Sequence, residues 1–296
     1  MTDGHPLESI LVADCGSTQT RVILIDMIDD QHRFIAKGEV PSTTEPPWSD
    51  VTLAVRQAIG QIEEMTGRLL LDDQGQLIIP EQANGQGVDA FVATTSAGAP
   101  LYMVLVGLAR DLSLASARRV SSSTYAIVQD TISLDDSVGE KRNMEAKIGI
   151  IHQQKPDVVL ITGGTDGGTT TPVINMAELV AMACSSLEDM AKPQVIFAGN
   201  SEIRARVAEI IGEETDLKAV NNVRPALNIE NLAEASQEIE RLYQERKMSQ
   251  IPGFSTLSAW SSVPVLPTAK ALGYVVQYLA RQWGSGKGVI GVDIGG

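Results

Sequence analysis

The stretch Ile10–Asp26, ILVADCGSTQTRVILID, constrains this chain more than any other. Two apolar runs flank a short polar loop, Asp14-Cys15-Gly16-Ser17-Thr18-Gln19-Thr20. Apolar runs of this length bounded by turn residues read as buried strands, so the stretch is strand, tight turn, strand. A Gly in the turn lets backbone approach a ligand closely, and successive N–H groups there form a concave anion site. The hydroxyls of Ser17, Thr18 and Thr20 add donors, and Asp14 at the strand end can hold a hydrated Mg²⁺ that shields phosphate charge. The loop therefore reads as a phosphate cradle, with Gly16 at its centre. A plain hairpin with a polar tip is the alternative.

The last eight residues, Val289-Ile290-Gly291-Val292-Asp293-Ile294-Gly295-Gly296, repeat the pattern of apolar strand, Asp, one residue, Gly. Asp293 takes the place of Asp14. Two such units suggest two related halves, each presenting an acidic phosphate loop to one nucleotide. The second copy stops inside its motif at Gly296, so the sequence is expected to be a fragment with its second half missing. On its own it is expected to bind nucleotide weakly or not at all.

Between the two motifs the pattern changes once. Arg33 to Val40 reads as a third strand in a meander. Ser49 then caps a helix whose Val55, Ile59, Ile62 and Met65 share one face, and Gly67 ends it. Residues 71–87 read as a small excursion, and Val88 to Thr94 as a fourth strand. Thr94-Thr95-Ser96-Ala97-Gly98 follows directly; it either lines a ligand cleft or turns into the next domain.

From Leu101 onward strands and helices alternate. Strands are expected at 101–108, 125–130, 157–162, 194–198 and 217–221, with helices at 113–124, 140–154, 172–187, 202–211 and 229–247. Repeated β-α units call for a parallel sheet covered on both faces. The loop Gly163-Gly164-Thr165-Asp166-Gly167-Gly168 lies between a buried strand and a helix N-terminus, a natural place for an anion. A tight crossover turn is the alternative, although Asp166 and Asn175 add polar groups that such a turn does not need. Asn200, at the end of the next strand, falls on the same rim and would join a second ligand site. The glycine spacing is not that of a dinucleotide fold. Residues 228–247 form a charged, solvated helix. Residues 248–267 read as a connecting loop in which Trp260 packs onto the domain, and Pro267-Thr268 opens a last helix that ends at Gly284-Ser285-Gly286.

Composition excludes several classes. The net charge of −14 argues against a nucleic-acid binder or a membrane-surface protein. It also requires a phosphate site to rely on backbone N–H groups, helix N-termini and Mg²⁺. Aromatic residues make up 4%, so aliphatic side chains and Ala must fill the core. Cys15 and Cys184 show no metal or disulfide spacing, and Cys15 is expected to point into the core. His5, His32 and His152 are scattered and form no ligand set. The N-terminus lacks a signal peptide and no apolar run approaches the roughly 18 residues of a membrane span, which makes the cytoplasm the expected location.

Asp14-x-Gly16-Ser17-Thr18-x-Thr20, with Val22-Ile23-Leu24-Ile25-Asp26 after it, resembles the first phosphate motif of the actin, Hsp70 and sugar-kinase (ASKHA) superfamily. Asp293-Ile294-Gly295-Gly296 resembles the start of its second. Further segments run in order along nearly the whole chain: Val92 to Gly98, Val106-Gly107-Leu108, Asp157 to Gly168, Asn175-x-Ala177-Glu178, Phe197 to Asn200, Asn222-Val223-x-Pro225 and Pro264-x-x-Pro267-Thr268. Together they resemble the MutL/GlmL-type accessory proteins of adenosylcobalamin-dependent glutamate mutase, which are unrelated to the mismatch-repair proteins of similar name.

The resemblance implies a ribonuclease-H-like first half of an actin-like ATPase domain over 1–98. A Rossmann- or flavodoxin-like domain would be inserted over 99–285, and the second half would start at 286–296. It implies ATP and Mg²⁺ as ligands. Gly16, Ser17, Thr18 and Thr20 would hold phosphate and Asp14 the hydrated metal. Asp293 would orient water or metal, with Gly295 and Gly296 at the β- and γ-phosphates. The implied partner is a cobalamin-dependent mutase. The Asp-x-His-x-x-Gly pattern of cobalamin ligation is absent, so direct cobalamin binding is not expected. A small-molecule acyl kinase, a hydantoinase- or oxoprolinase-like enzyme of the same superfamily, and a catalytically idle interaction module are the alternatives.

Overall fold

Period-two alternation sets the first sheet. Along β1 (Ile10–Cys15), Leu11, Ala13 and Cys15 are fully buried, whereas Ile10, Val12 and Asp14 face the other side. The computed structural model describes residues 7–135, 143–283 and 288–294. Its chain divides into two units, Met1–Ala99 with Glu245–Gly296, and Pro100–Gln244. Residues 245–285, expected within the inserted domain, therefore go with the first unit. Both units are mixed α/β.

In the first unit, β2 (Gln19–Ile28) and β3 (Gln31–Pro41) follow β1 as an antiparallel meander. On the other side of β1 lie β4 (Ala90–Thr95) and then β10 (Leu266–Pro267), both parallel to it. The order is β10-β4-β1-β2-β3. Helix α1 (Val51–Thr66) packs on β2 and β3 through Val51, Ala54, Val55, Ala58, Ile59 and Ile62. Its cap is Asp50, not Ser49. The Asp50 carboxylate accepts the Thr52 N–H at 2.8 Å, while Ser49 sits one residue earlier at φ 47°. Gly67, at φ 71°, closes the helix as expected, and its N–H donates to Glu63 O.

The expected loop at 248–267 contains a helix, α7 (Phe254–Trp260), and the short β10. Trp260 packs as anticipated. Its ring meets Phe91 edge-on at 6.2 Å, its indole N–H donates to Gln76 Oε1 at 2.9 Å, and the Arg56 guanidinium lies 5.0 Å over it. Helix α8 (Thr268–Gln282) follows β10 and buries none of its residues, leaving Tyr274, Val275 and Tyr278 exposed. The strand expected at 289–292, before Asp293, does not form. Among the described residues no edge pairs with this segment, and Ile290 and Ile294 are each 90% exposed.

The second unit carries five parallel strands: β5 (Leu101–Gly107), β6 (Ala126–Ser133), β7 (Val158–Thr162), β8 (Gln194–Phe197) and β9 (Leu217–Ala219). Their order is β6-β5-β7-β8-β9. β7 and β8 are buried at every residue, as a doubly covered sheet requires. One core cluster joins them to α3 (Met144–Gln154), α4 (Thr171–Ser185) and α5 (Arg204–Ile211). α2 (Ala115–Ser121) packs on β5 and β6, and α6 (Ala233–Arg246) buries Ile239, Leu242 and Tyr243. Each helix lies within a few residues of its expected position, although 140–142 fall outside the described residues. Among those residues no helix is long and apolar enough to cross a membrane.

Where α1 crosses β3, Gly38 admits the helix backbone. A Cβ at Gly38 would stand 1.9 Å from Ala58 O and 2.9 Å from its Cα, atoms that cannot swing aside. Gly60, in the same helix, would meet nothing within 4 Å. Gly38→Ala should therefore lower stability by about 3 kcal/mol or more through overpacking. Gly60→Ala should raise it by roughly 0.5–1 kcal/mol. Urea unfolding midpoints of the two variants check the opposite signs.

Candidate functional site

Three parallel strands bring their carboxyl ends together at Asp14. In register, Asp14 lies beside Thr94 of β4, and Thr94 beside Leu266 of β10. Two residues after Leu266, Thr268 opens α8. The hydroxyls of Thr94 and Thr268 both donate to Asp14 Oδ1, each at 2.8 Å. Oδ2 receives no hydrogen bond among the described residues. One carboxylate oxygen is thus fixed from two sides. Thr94 was among the sequence candidates. Thr268 was not, because nothing in its local sequence reveals that it meets a residue 254 positions away.

The adjoining turn is held by its own backbone and by Ser42. The Gly16 N–H donates to Gln19 O at 3.0 Å, and a Cβ on Gly16 would stand 2.8 Å from that oxygen. Gly is therefore required by the turn itself. Ser42 Oγ donates to Gly16 O at 2.6 Å, and the Ser42 N–H to Thr18 O at 2.9 Å. Ser17 and Thr18 are exposed at the tip. Ser96 borders the turn, its N–H on Cys15 O at 3.0 Å. Thr20 does not share this tip. It pairs with Cys15 in register, is fully buried, and has its hydroxyl 3.0 Å from Ser42 Oγ. Its role is to hold the turn from behind. Burial, then the neighbouring Asp14, push the Cys15 thiol up to about 12, which makes it an inert core residue.

Of the other expected motif, Asp293 is exposed, and among the described residues no hydrogen bond or ion pair joins it to Asp14. Its segment runs beside α8, where a Cβ on Gly291 would lie 2.5 Å from Val276 Cγ2. Gly295 and Gly296 lie outside the described residues. Among those residues no three His, Cys, Asp or Glu side chains converge as a metal cluster.

In the second unit, the loop after β7 is knit to itself. Asp166 Oδ1 accepts the Ser201 N–H and an Asn222 amide N–H, both at 2.9 Å, and the Asp166 N–H donates to Pro225 O. Burial pushes the Asp166 carboxyl up, but the Ser201 and Asn222 hydrogen bonds outweigh it and hold it below the usual range. Asn200 accepts the Glu202 N–H with its side chain, and its own N–H donates to Gly163 O. Gly163, Gly164 and Gly167 all have positive φ. Thr165 and Gly168 close a turn, with the Gly168 N–H on Thr165 O. Asp166 and Asn200 thus serve the loop's own geometry.

Beside this loop sits an ionic knot that the sequence reading missed. Glu230 accepts from Arg119, Ser116 and Arg224 at 2.6–2.7 Å. These partners, Arg119 foremost, pull the Glu230 carboxyl down from 4.5 to about 2.

The molecule is a mixed α/β protein with a single-carboxylate, hydroxyl-lined site at the ends of parallel strands. The profile of the MutL protein family matches residues 10–296, so the chain belongs to that family. Protein MutL of Clostridium tetanomorphum is 26% identical over an alignment that covers 98% of this chain. The chain spans 56%, about half, of that relative's length. Among solved structures, the PPX-GPPA enzyme of Aquifex aeolicus is similar over 65% of this chain and 68% of its own, at 14% identity and a TM-score of 0.18. A glycerol dehydratase reactivase is similar over 74% of this chain and 31% of its own, at 13% identity and a TM-score of 0.18.

The knot around Glu230 gives a pH dependence. Because the folded-state value of about 2 lies below the ordinary 4.5, the unfolded chain binds the extra proton in between. The contribution to stability is complete above pH 4.5 and is lost as pH falls toward about 2. The difference in urea midpoint between the wild type and Glu230→Gln should shrink over that window. A difference that stays constant with pH would show that the knot does not act through the charge.

Proposed function

We propose that this protein is an ATP-binding, actin-like ATPase that serves as an accessory, reactivating chaperone of an adenosylcobalamin-dependent mutase of the glutamate mutase type. The observation that carries the reading is Asp14. One of its oxygens is pinned by Thr94 and Thr268, the other is free, and the Gly16–Thr18 tip adjoins it. In this reading the first unit is the ribonuclease-H-like half of the ATPase domain. Residues 100–244 form an inserted, flavodoxin-like domain that engages the mutase. Membership in the MutL family supports the accessory role.

The donor set fits a hydrated Mg²⁺-nucleotide. Mg²⁺ keeps most of its waters and is held by one or two carboxylates together with substrate phosphates, so one free carboxylate oxygen suffices. The bound ion would neutralise phosphate charge. The chain's own part is positional: Thr94 and Thr268 fix the Asp14 rotamer, Gly16 lets the turn close, and Ser17 and Thr18 would meet phosphate at its exposed tip. In-line phosphoryl transfer to water asks for little more than such positioning and charge neutralisation. The reading keeps Asp293, with Gly295 and Gly296, as the second phosphate motif. That requires residues 289–293 to leave their exposed position and pair as a strand.

The test is phosphate release from ATP by the full-length protein, with and without a cobalamin-dependent mutase inactivated by turnover. Asp14→Asn should lower Mg²⁺-dependent hydrolysis by about 100-fold or more, and Thr268→Val by roughly 10-fold through loss of carboxylate positioning. Mutase should stimulate the wild type alone. An Asp14→Asn protein as active as wild type would overturn the reading. Hydrolysis that depends on an added carboxylate or cyclic amide would move the protein to the acyl kinase or hydantoinase class.

A further inference from the structure

The strand order of the second unit marks one crevice above the others. Counted from its own first strand, β6-β5-β7-β8-β9 is the order 2-1-3-4-5. In such sheets the chain leaves the first strand toward one edge and continues from the third toward the other. The loops after those two strands diverge and leave a crevice at their carboxyl ends, where ligands of open α/β sheets bind. Here the two strands are β5 and β7. A cavity of about 210 Å³ lies at that place, lined by Leu108, Ala109, Leu112 and Ser113 after β5, by Gly163 to Thr165 after β7, and by Arg224 and Leu227.

The lining is of two kinds. Leu108, Leu112 and Leu227 give it an apolar wall, and Leu112 and Leu227 remain 40% and 68% exposed at the rim. Leu112 and Ser113 belong to a π-helical turn, Arg110–Leu114, a rare conformation that recurs at functional sites. On the polar side, Arg224 is only 15% exposed. Its guanidinium donates to Ser116 Oγ, Leu227 O and Glu230 Oε1, which uses three of its five N–H bonds. Two cations, Arg119 and Arg224, share the one carboxylate of Glu230, so the knot carries a net positive charge in a chain of net charge −14. By contrast, Asp166 and Asn200 are tied up within the glycine loop.

We propose that this crevice binds a small aliphatic carboxylate, with its charge toward Arg224 and its hydrocarbon body against Leu108, Leu112 and Leu227. The volume sets the size. It is below the roughly 300–1,000 Å³ of sites for drug-sized ligands, and so takes a molecule of a few carbons. The site is separate from Asp14 and does not depend on the nucleotide reading.

The probe is isovalerate, titrated into the 296-residue chain and followed by calorimetry. Saturable binding with a Kd of about 1 mM or tighter is expected. Isoamyl alcohol, with the same body and no charge, and inorganic phosphate, with charge and no body, should each bind at least about tenfold more weakly. Arg224→Gln should lose the preference for isovalerate over the alcohol. Ala109→Leu, which fills the cavity and leaves the arginine knot intact, should abolish binding while the far-UV spectrum stays that of the wild type. No saturation by isovalerate overturns the proposal. So does phosphate binding as tightly, or undiminished binding by Ala109→Leu.

Discussion

The first unit depends on a carboxylate that three distant pieces of chain agree to hold. Asp14 comes from β1, Thr94 lies 80 residues later and Thr268 254 residues later, and both hydroxyls end on the same oxygen. A half-buried carboxylate without donors would be costly, so the hydrogen bonds and the strand pairing support one another. β10 is only two residues long, yet it aligns Leu266 and Pro267 with Thr94 and Thr95 and so places the start of α8 beside Asp14. The returning segment 245–282 thereby completes the sheet and the site together.

The two glycine-bearing loops look alike in sequence and differ in physics. In the Gly16 turn the backbone and Ser42 hold the shape, and the polar side chains at the tip face outward. In the Gly163–Gly168 loop the polar side chains hold the shape themselves. Asp166 closes onto Ser201 and Asn222, and Asn200 onto Glu202. Residue types alone cannot separate the cases, because a buried loop needs the same donors and acceptors to satisfy its own backbone that a ligand would recruit. What distinguishes them is which groups hold the loop: backbone and Ser42 in the first, the loop's own Asp166 and Asn200 in the second. In the second unit, the arginine-rich chemistry is on the other side of the crevice, in residues that no motif links.

Periodicity made most of the fold legible. Apolar runs bounded by turn residues in Ile10–Asp26, and the wholly apolar Val158–Ile161 and Val195–Phe197, identified strands. Three- and four-residue spacing located α1, and the alternation of strand and helix the elements of the second unit. The failures share a cause, which is dependence on a non-local partner. α7 is seven residues within a segment rich in Ser and Pro, held by Trp260 against Phe91 and Gln76. β10 exists because β4 offers it an edge. The apolar residues 289–292 have strand character but pair with no edge among the described residues, and Ile290 and Val292 stay exposed. Thr20 failed differently: read by type it joined the hydroxyl cluster, but strand alternation puts it on the face of Cys15.

Net charge limits how either site can attract an anion. With −14 overall, long-range steering works against a phosphate or carboxylate, and affinity must come from groups within a Debye length. The two units resolve this in opposite ways. At Asp14 the proposed site has a tight turn and a carboxylate held by two threonine hydroxyls, a set that would attract a phosphate only when a divalent cation comes with it. In the second unit the positive charge is built in. Two arginines share one glutamate, and that glutamate is held ionised down to about pH 2. Such a knot cannot be neutralised by ordinary changes in pH, so its excess charge persists wherever the protein stays folded. If the two proposals hold, the first site answers to metal and nucleotide together, and the second to a small anion alone.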